Sequence, residues 1–326
     1  MTAVTHTEVA ARLKGEQRII IMAHENPDGD AVGSVVALML MADRLGLTYD
    51  AYLPGDTPVP EEYRFLPGID SILRGPFPPV DPSTTAYIMD CASAGRLDQD
   101  SLRCAGACFN LDHHPDNTGF GTHNLLDRDA ASTTQILYEI FQAGGLPVDA
   151  QVATALYVGL VTDTGRFQYG NTTPAAHRMA ADLQEVGVDV NAVYRAVYET
   201  QALVKVQLLQ RALARLDLRL DGRLALSWLD AADFAELHAD ESHTEGIIDS
   251  LRTIAGVRIA AFLRERPRNG EKEYKVSLRA TDGVTDVASI AHLQDGGGHT
   301  QAAGYTTDQE LGEALDWIED QTRRRL

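Results

Sequence analysis

Histidine and aspartate recur in four short stretches of this chain. His24, Asp28 and Asp30 fall within AHENPDGDAVGS, Asp90 closes AYIMD, Asp112-His113-His114 sits in FNLDHHPDN, and Asp163 lies in GLVTDTGRF. The H-x-x-x-D-x-D spacing lets three side chains converge, with Gly29 and Gly33 permitting a tight path. Each piece alone has an ordinary reading: Asp90 as a helix N-cap, Asp163 as a polar helix end, FNLDHHPDN as a polar loop. Brought to one place, four or more carboxylates repel each other unless cations sit among them. Mixed imidazole and carboxylate ligation suits Mn²⁺, Co²⁺ or Zn²⁺ better than Mg²⁺ or Ca²⁺. Two histidines and four aspartates exceed the needs of one ion, so two ions sharing a bridging carboxylate are expected. Such pairs lie ~3.5–4 Å apart and activate water for in-line attack on phosphorus.

These residues need elements to hold them. RIIIMA (Arg18–Ala23), YDAYLP (Tyr49–Pro54), TAYIMD (Thr85–Asp90) and ACFNLD (Ala107–Asp112) read as strands. GSVVALMLMADRLG (Gly33–Gly46), STTQILYEIFQAG (Ser132–Gly144) and DAQVATALYVGLVTD (Asp149–Asp163) read as helices. The alternation predicts an α/β domain with an open, mainly parallel sheet over residues 1–190, and in such sheets ligands bind beyond the carboxyl ends of the strands. Three strand ends then deliver carboxylate or imidazole to one edge. The Pro-rich stretch Pro67–Pro82 reads as a surface connection.

Past residue 190 the pattern changes. A long amphipathic helix (Thr200–Leu216) predicts a helical linker over 191–215. Strand pairs around Asp221-Gly222, a two-residue hairpin signal, and Asn269-Gly270 follow. With a helix at Glu245–Ala255 and a terminal one at Asp308–Arg323 they predict a smaller α+β domain over 216–326. Gly296, Gly297 and Gly298 expose bare backbone ahead of His299, although glycine runs alone are usually turns. Arg279, in VSLRA, suits a bidentate phosphate clamp or a solvated strand end. Arg166, just after Asp163, is a lesser candidate beside the metals. His123, His177, His238, His243 and His292 show no ligand spacing.

Composition narrows the partners. With 326 residues, 44% hydrophobic and 23% charged, the chain can bury the core of a globular protein. Its net charge of −19 opposes binding of long nucleic acid, which requires a basic face; short nucleotides held by a few arginines and metal ions remain compatible. Four lysines against twenty-four arginines reflect composition bias. Cys91, Cys104 and Cys108, without CxxC spacing, read as reduced thiols. No secretory signal or membrane-length apolar run is seen, so a soluble cytoplasmic protein is expected.

NPDGDAVGS, MDCAS, LDHHPDN and TDTGRF resemble the four motifs of the DHH phosphoesterases, and DVASIAHLQDGGGHTQAAGY (Asp286–Tyr305) resembles the glycine-rich signature of the DHH-associated substrate-binding domain. The resemblance covers nearly the whole chain. It implies His24, Asp28 and Asp90 on one ion, and Asp30, Asp90, His113 and Asp163 on the other, with Mn²⁺ the expected metal. It also implies that His114 faces the scissile phosphate, that Asp112 orients its neighbours, and that the chain forms a homodimer.

Within the family, exonucleases with added nucleic-acid-binding modules are excluded by length and charge. Family II inorganic pyrophosphatases lack the G-G-G-H signature, and membrane-linked cyclic-dinucleotide phosphodiesterases carry segments absent here. What remains resembles stand-alone members that hydrolyse nano-RNA and dinucleotides such as pApA and dephosphorylate 3′-phosphoadenosine 5′-phosphate (pAp). A soluble cyclic-di-AMP/pApA phosphodiesterase is the alternative within the family, and a nucleotide-binding regulator without turnover the alternative outside it. Short RNA and nucleotides are the expected partners, with no long duplex and no membrane.

Overall fold

The computed structural model describes residues 2–56, 58–98, 106–200, 202–268 and 271–326. In chain order the elements are β1 (Thr2–Ala3), α1 (His6–Gly15), β2 (Arg18–Ala23), α2 (Gly29–Leu45), β3 (Thr48–Tyr52), β4 (Thr85–Met89), β5 (Ala107–Asp112), β6 (His123–Leu126), α3 (Thr133–Gly144), α4 (Ala150–Asp163), α5 (Pro174–Val186) and α6 (Val190–Tyr194). There follow α7 (Leu203–Ala214), β7 (Asp217–Arg219), β8 (Leu224–Leu229), α8 (Ala231–Leu237), α9 (Ile247–Arg252), β9 (Ile259–Arg268), β10 (Glu271–Ala280), α10 (Ala288–Ala291), β11 (Gly297–His299), β12 (Ala302–Thr307) and α11 (Leu311–Arg323). They form two compact units, Met1–Thr200 and Gln201–Leu326.

The first unit is built on six strands in the order β1-β6-β5-β4-β2-β3, every neighbouring pair parallel. β2 reads as an unbroken apolar run because both faces of a parallel sheet are covered. Ile19, Ile21 and Ala23 join Tyr87, Met89 and Leu111 beneath the helices, while Ile20, Met22, Ala86 and Ile88 face the other way. That second face is closed by the Pro-rich stretch, which is more than a surface connection. Phe77 and Val80 pack against it, Phe77 edge-on to Tyr52 at 5.1 Å, and Ile69 and Ile72 are buried on the helical side. After β3 the chain crosses back over β2 to lay down β4. The strand order therefore switches between β2 and β4, where an open α/β sheet leaves a crevice at its carboxyl edge.

Helix α2 begins at Gly29, earlier than the apolar periodicity suggests, because Asp28 caps it: its side chain accepts from the N–H groups of Asp30 and Ala31. Gly29 and Gly33 are thus helical, and their small size serves packing rather than a turn. A Cβ on Gly33 would lie 2.6 Å from the Ala155 carbonyl oxygen of α4, and one on Gly29 2.3 Å from the Thr162 side chain. Gly33→Ala is expected to force α2 and α4 apart and to destabilise the chain by about 1–3 kcal/mol, the usual cost of overpacking a core. Urea unfolding of the two proteins measures this.

In the second unit the strands run β11-β12-β10-β9-β8-β7, antiparallel except for β8 beside β9. Leu208 and Ala212 of α7 pack with Ala225, Leu229 and Phe262 on one face; Leu315 and Ile318 of α11 pack with Val276 and Leu278 on the other. The expected long helix forms as α7, and the span 191–215 is shared between the two units. α6 and the π-helical turn Arg195–Glu199 stay with the first unit, and α7 belongs to the second because its apolar stripe is buried there. The turn at Asp221-Gly222 is wider than two residues: pairing starts only at Arg219↔Leu224, and Leu220, Asp221 and Gly222 all have positive φ. Asn269-Gly270 and Cys104 lie outside the described residues; Cys91 and Cys108 are free and buried. Among the described residues no helix is long and apolar enough to cross a membrane.

Candidate metal centre

The carboxyl ends of β2, β4 and β5 bring the acids and histidines together at the switch in strand order. His24 follows β2, Asp90 follows β4, and Asp112 ends β5 with His113 and His114 after it. Asp30 comes from the first turn of α2 and Asp163 from the last residue of α4. One ligand atom each of His24, Asp28 and Asp90 lies within 4.8 Å of the other two, and the same holds for Asp30, His113 and Asp163. Asp90 faces both sets: its Oδ2 is 3.5 Å from His24 Nε2 and its Oδ1 3.6 Å from His113 Nε2. His113 Nε2 also lies 3.8 Å from Asp30 and 3.5 Å from Asp163.

The cluster is electrostatically unsatisfied as a metal-free assembly. Burial, then the charges of Asp90 and Asp163, push the Asp30 carboxyl well above the usual carboxylate range. Burial, then Asp90 and Asp28, do the same to Asp163. Asp90 goes the other way: burial would raise it, but the hydrogen bond with His24 and the nearby imidazoles hold it well below. Carboxylates that oppose one another's ionisation are the donor set a divalent cation relieves, and imidazole with carboxylate fits the borderline metals. Asp90 adopts φ +54°, a left-handed conformation uncommon outside glycine and asparagine. The backbone is held there by Asp90 N–H donating to the Leu111 carbonyl, 3.0 Å, so strain is retained where a side chain must be aimed.

Each candidate ligand is held from behind. His24 Nδ1 lies 2.7 Å from both the Glu25 carbonyl and the Arg96 guanidinium, which turns Nε2 to the site. Asp112, fully buried, accepts from the His113 N–H (2.9 Å) and from His114 Nδ1 (2.8 Å), which fixes the whole turn. Burial lowers the His114 pKa, but that hydrogen bond and the charges of Asp90, Asp112 and Asp163 outweigh it and bring it up to about 10.

Several supporting residues carried no signal in the sequence. The Thr133 and Thr134 N–H groups at the start of α3 grip both oxygens of Asp30 at 2.6 and 3.0 Å. Thr133 Oγ1 donates to Asp90 at 3.2 Å, and Asn171 Nδ2 to Asp163 at 3.2 Å. Asn117 Nδ2 donates to Asp112 and to the Cys91 carbonyl, tying the turns after β4 and β5 together. Gly159 leaves room for this packing, since a Cβ there would lie 2.7 Å from Asp30 Oδ1. Ser132 as the N-cap of α3 was the only one of these features with a local signature.

A family model described as the DHH family, N-terminal domain, matches residues 18–160, and one described as the DHHA1 domain matches 224–324. The chain is also 31% identical, over 98% of its length and 93% of the relative's, to the bifunctional oligoribonuclease and PAP phosphatase NrnA of Thermus thermophilus. The chain belongs to the DHH family. Its fold is shared with an exopolyphosphatase-related protein from Bacteroides fragilis, with a TM-score of 0.83 at 23% identity, covering 97% of this chain and 94% of that one. It is shared more distantly with manganese-bound RecJ of Thermus thermophilus, with a TM-score of 0.59 at 14% identity, covering 98% of this chain and 55% of RecJ.

The remaining candidate residues of this DHH protein fall in two places. Arg166 follows the Asp163 end of α4, where Gly165, Arg166 and Phe167 all have positive φ; its guanidinium lies over the Tyr198 ring at 5.1 Å. In the DHHA1 unit, strand register aligns Arg279, Ala302 and His299 across β10, β12 and β11, so Arg279 and His299 share a sheet face. Gly296 and Gly298 have a packing reason as well, since a Cβ on either would meet the β12 backbone at 2.3–2.5 Å. Lys275 stands two alternations from Arg279 on that face, opposite Arg264, and Lys275 donates to Glu241 at 2.6 Å. This basic face, in a chain of net charge −19, was not anticipated beyond Arg279.

Proposed function

We propose that the chain is a cytoplasmic two-metal phosphoesterase that hydrolyses nano-RNA and dinucleotides such as pApA to mononucleotides and removes the 3′-phosphate of pAp. The observation that carries this reading is Asp90, whose two oxygens face two separate ligand sets at the strand-order switch. His24, Asp28 and Asp90 would hold one ion, and Asp30, Asp90, His113 and Asp163 the other, with Mn²⁺ favoured by the donor set. When bound, such ions supply Lewis acidity and a water of lowered pKa.

The chain's own residues do the rest. Asp112 holds His114 by Nδ1, which orients the ring so that the imidazole can present a proton to a phosphoryl or leaving oxygen. In the metal-free chain the hydrogen bond to Asp112 and the nearby carboxylates bring the His114 pKa up to about 10, and an imidazolium there is suited to stabilise charge as the ester bond breaks. In the second unit, Arg279 and Lys275 give a sheet face able to bind a phosphate, with His299 in register beside Arg279. The name of the Thermus thermophilus relative, which joins oligoribonuclease to PAP phosphatase, supports the same substrates.

Arg279→Ala is expected to raise KM for pApA by about 10–100-fold with a smaller effect on kcat, since a hydrogen bond to a charged group is worth roughly 1.5–3 kcal/mol. Initial-rate kinetics on the purified variant check this. The activity itself is tested by incubating the protein with Mn²⁺ and pApA, a five-nucleotide RNA, pAp, cyclic-di-AMP and a long single-stranded DNA. Rapid cleavage of the short RNAs and pAp is expected. A preference for cyclic-di-AMP would make it a cyclic-dinucleotide phosphodiesterase, and the absence of turnover would make it a nucleotide-binding regulator.

A further inference from the structure

The carboxyl edge of the first sheet carries a second group of ligand-type side chains, built on different strands. β1 leads into α1, whose first residue is His6; Asp127 follows the end of β6; Glu139 lies in the second turn of α3. One ligand atom from each of His6, Asp127 and Glu139 lies within 4.8 Å of the other two. None of the three belongs to the motifs of the centre above.

The details favour a bound ion over a chance meeting of polar groups. His6 Nε2 is turned inward to a Glu139 oxygen at 3.3 Å without forming a hydrogen bond, while the two side chains remain 30% and 37% exposed. Each carboxylate is meanwhile oriented through one oxygen: Asp127 Oδ1 accepts the Asp129 N–H at 3.0 Å, and Glu139 Oε1 accepts from Gln135 Nε2 at 2.9 Å. Among the described residues no lysine or arginine forms an ion pair with either acid. His6 and Asp127 also line an open groove of about 540 Å³ between residues 2–6 and 124–127, which gives a hydrated ion a way in.

The geometry points to a third divalent-cation site, held by His6, Asp127 and Glu139 and completed by water. One imidazole and two carboxylates suit a borderline ion, Zn²⁺ or Mn²⁺. Its role is structural. It ties the two-residue strand β1 and the start of α1 to β6 and α3, elements otherwise joined at this end by a short pairing, Thr2↔His123 and Ala3↔Asn124.

The test counts Zn²⁺ bound to the chelator-stripped full chain by competition with a chromophoric chelator. The proteins compared are wild type, His6→Ala, Asp127→Asn and, as an exposed-histidine control, His238→Ala. His6→Ala and Asp127→Asn are each expected to bind one equivalent fewer than wild type while keeping its circular dichroism and Mn²⁺-dependent turnover. In an Asp90→Asn background one equivalent should persist and disappear only when His6→Ala is added, which separates this site from the catalytic centre. An equal count in wild type, His6→Ala and Asp127→Asn overturns the site, as does the same loss in His238→Ala.

Discussion

Asp90→Asn lowers Mn²⁺-dependent hydrolysis of pApA by at least about a thousandfold and leaves the far-ultraviolet circular dichroism unchanged. Asparagine is the informative replacement, because it tolerates the left-handed backbone at this position; alanine would add strain to the loss of charge. Losing one preorganised electrostatic contact at a reacting centre costs about 10²–10³ in rate. Asp90 faces both ligand sets, so its neutralisation weakens two ion sites at once. Full turnover by the variant at saturating Mn²⁺ would remove Asp90 from the centre.

Asp163→Asn has effects of opposite sign on activity and stability. In the metal-free protein the Asp163 carboxyl is raised by burial and by Asp90 and Asp28. A carboxyl whose pKa is higher folded than unfolded makes the ionised folded state less stable at neutral pH. Neutralising it should therefore raise the Tm of the chelator-treated chain, by about 2–4 °C for each kcal/mol of relieved repulsion. The Asn171 contact survives, because an asparagine oxygen can still accept from Asn171 Nδ2. Mn²⁺ should stabilise the variant less than wild type, and turnover should fall steeply. Differential scanning fluorimetry with and without Mn²⁺ measures both stability effects; a lower Tm in the metal-free variant would contradict the account of crowded carboxylates.

The site was legible in the sequence because its chemistry sits at strand ends. RIIIMA, TAYIMD and ACFNLD are apolar enough to be unmistakable strands, and the residues that end or follow them are fixed to the carboxyl edge by the parallel topology. The start of α2 lies earlier than the apolar pattern suggests, because Asp28, a candidate ligand, also caps the helix and Gly29 is helical, making room for Thr162. β1 and β6 were missed since two and four residues carry too little pattern; they exist through pairing with neighbours. Thr133, Asn117 and Asn171 reach their carboxylate partners across loops or distant helices, and no local periodicity reports such contacts. The placement of α7 in the second unit likewise depends on which sheet buries Leu208 and Ala212.

The most direct test of the two-metal centre is an anomalous-difference map from crystals grown with Mn²⁺. Two peaks about 3.5–4 Å apart, with one oxygen of Asp90 on each or a single oxygen between them, are the result expected here. His24 and Asp28 should contact one peak, and Asp30, His113 and Asp163 the other. A single peak, or a pair that leaves Asp90 uncoordinated, would contradict it.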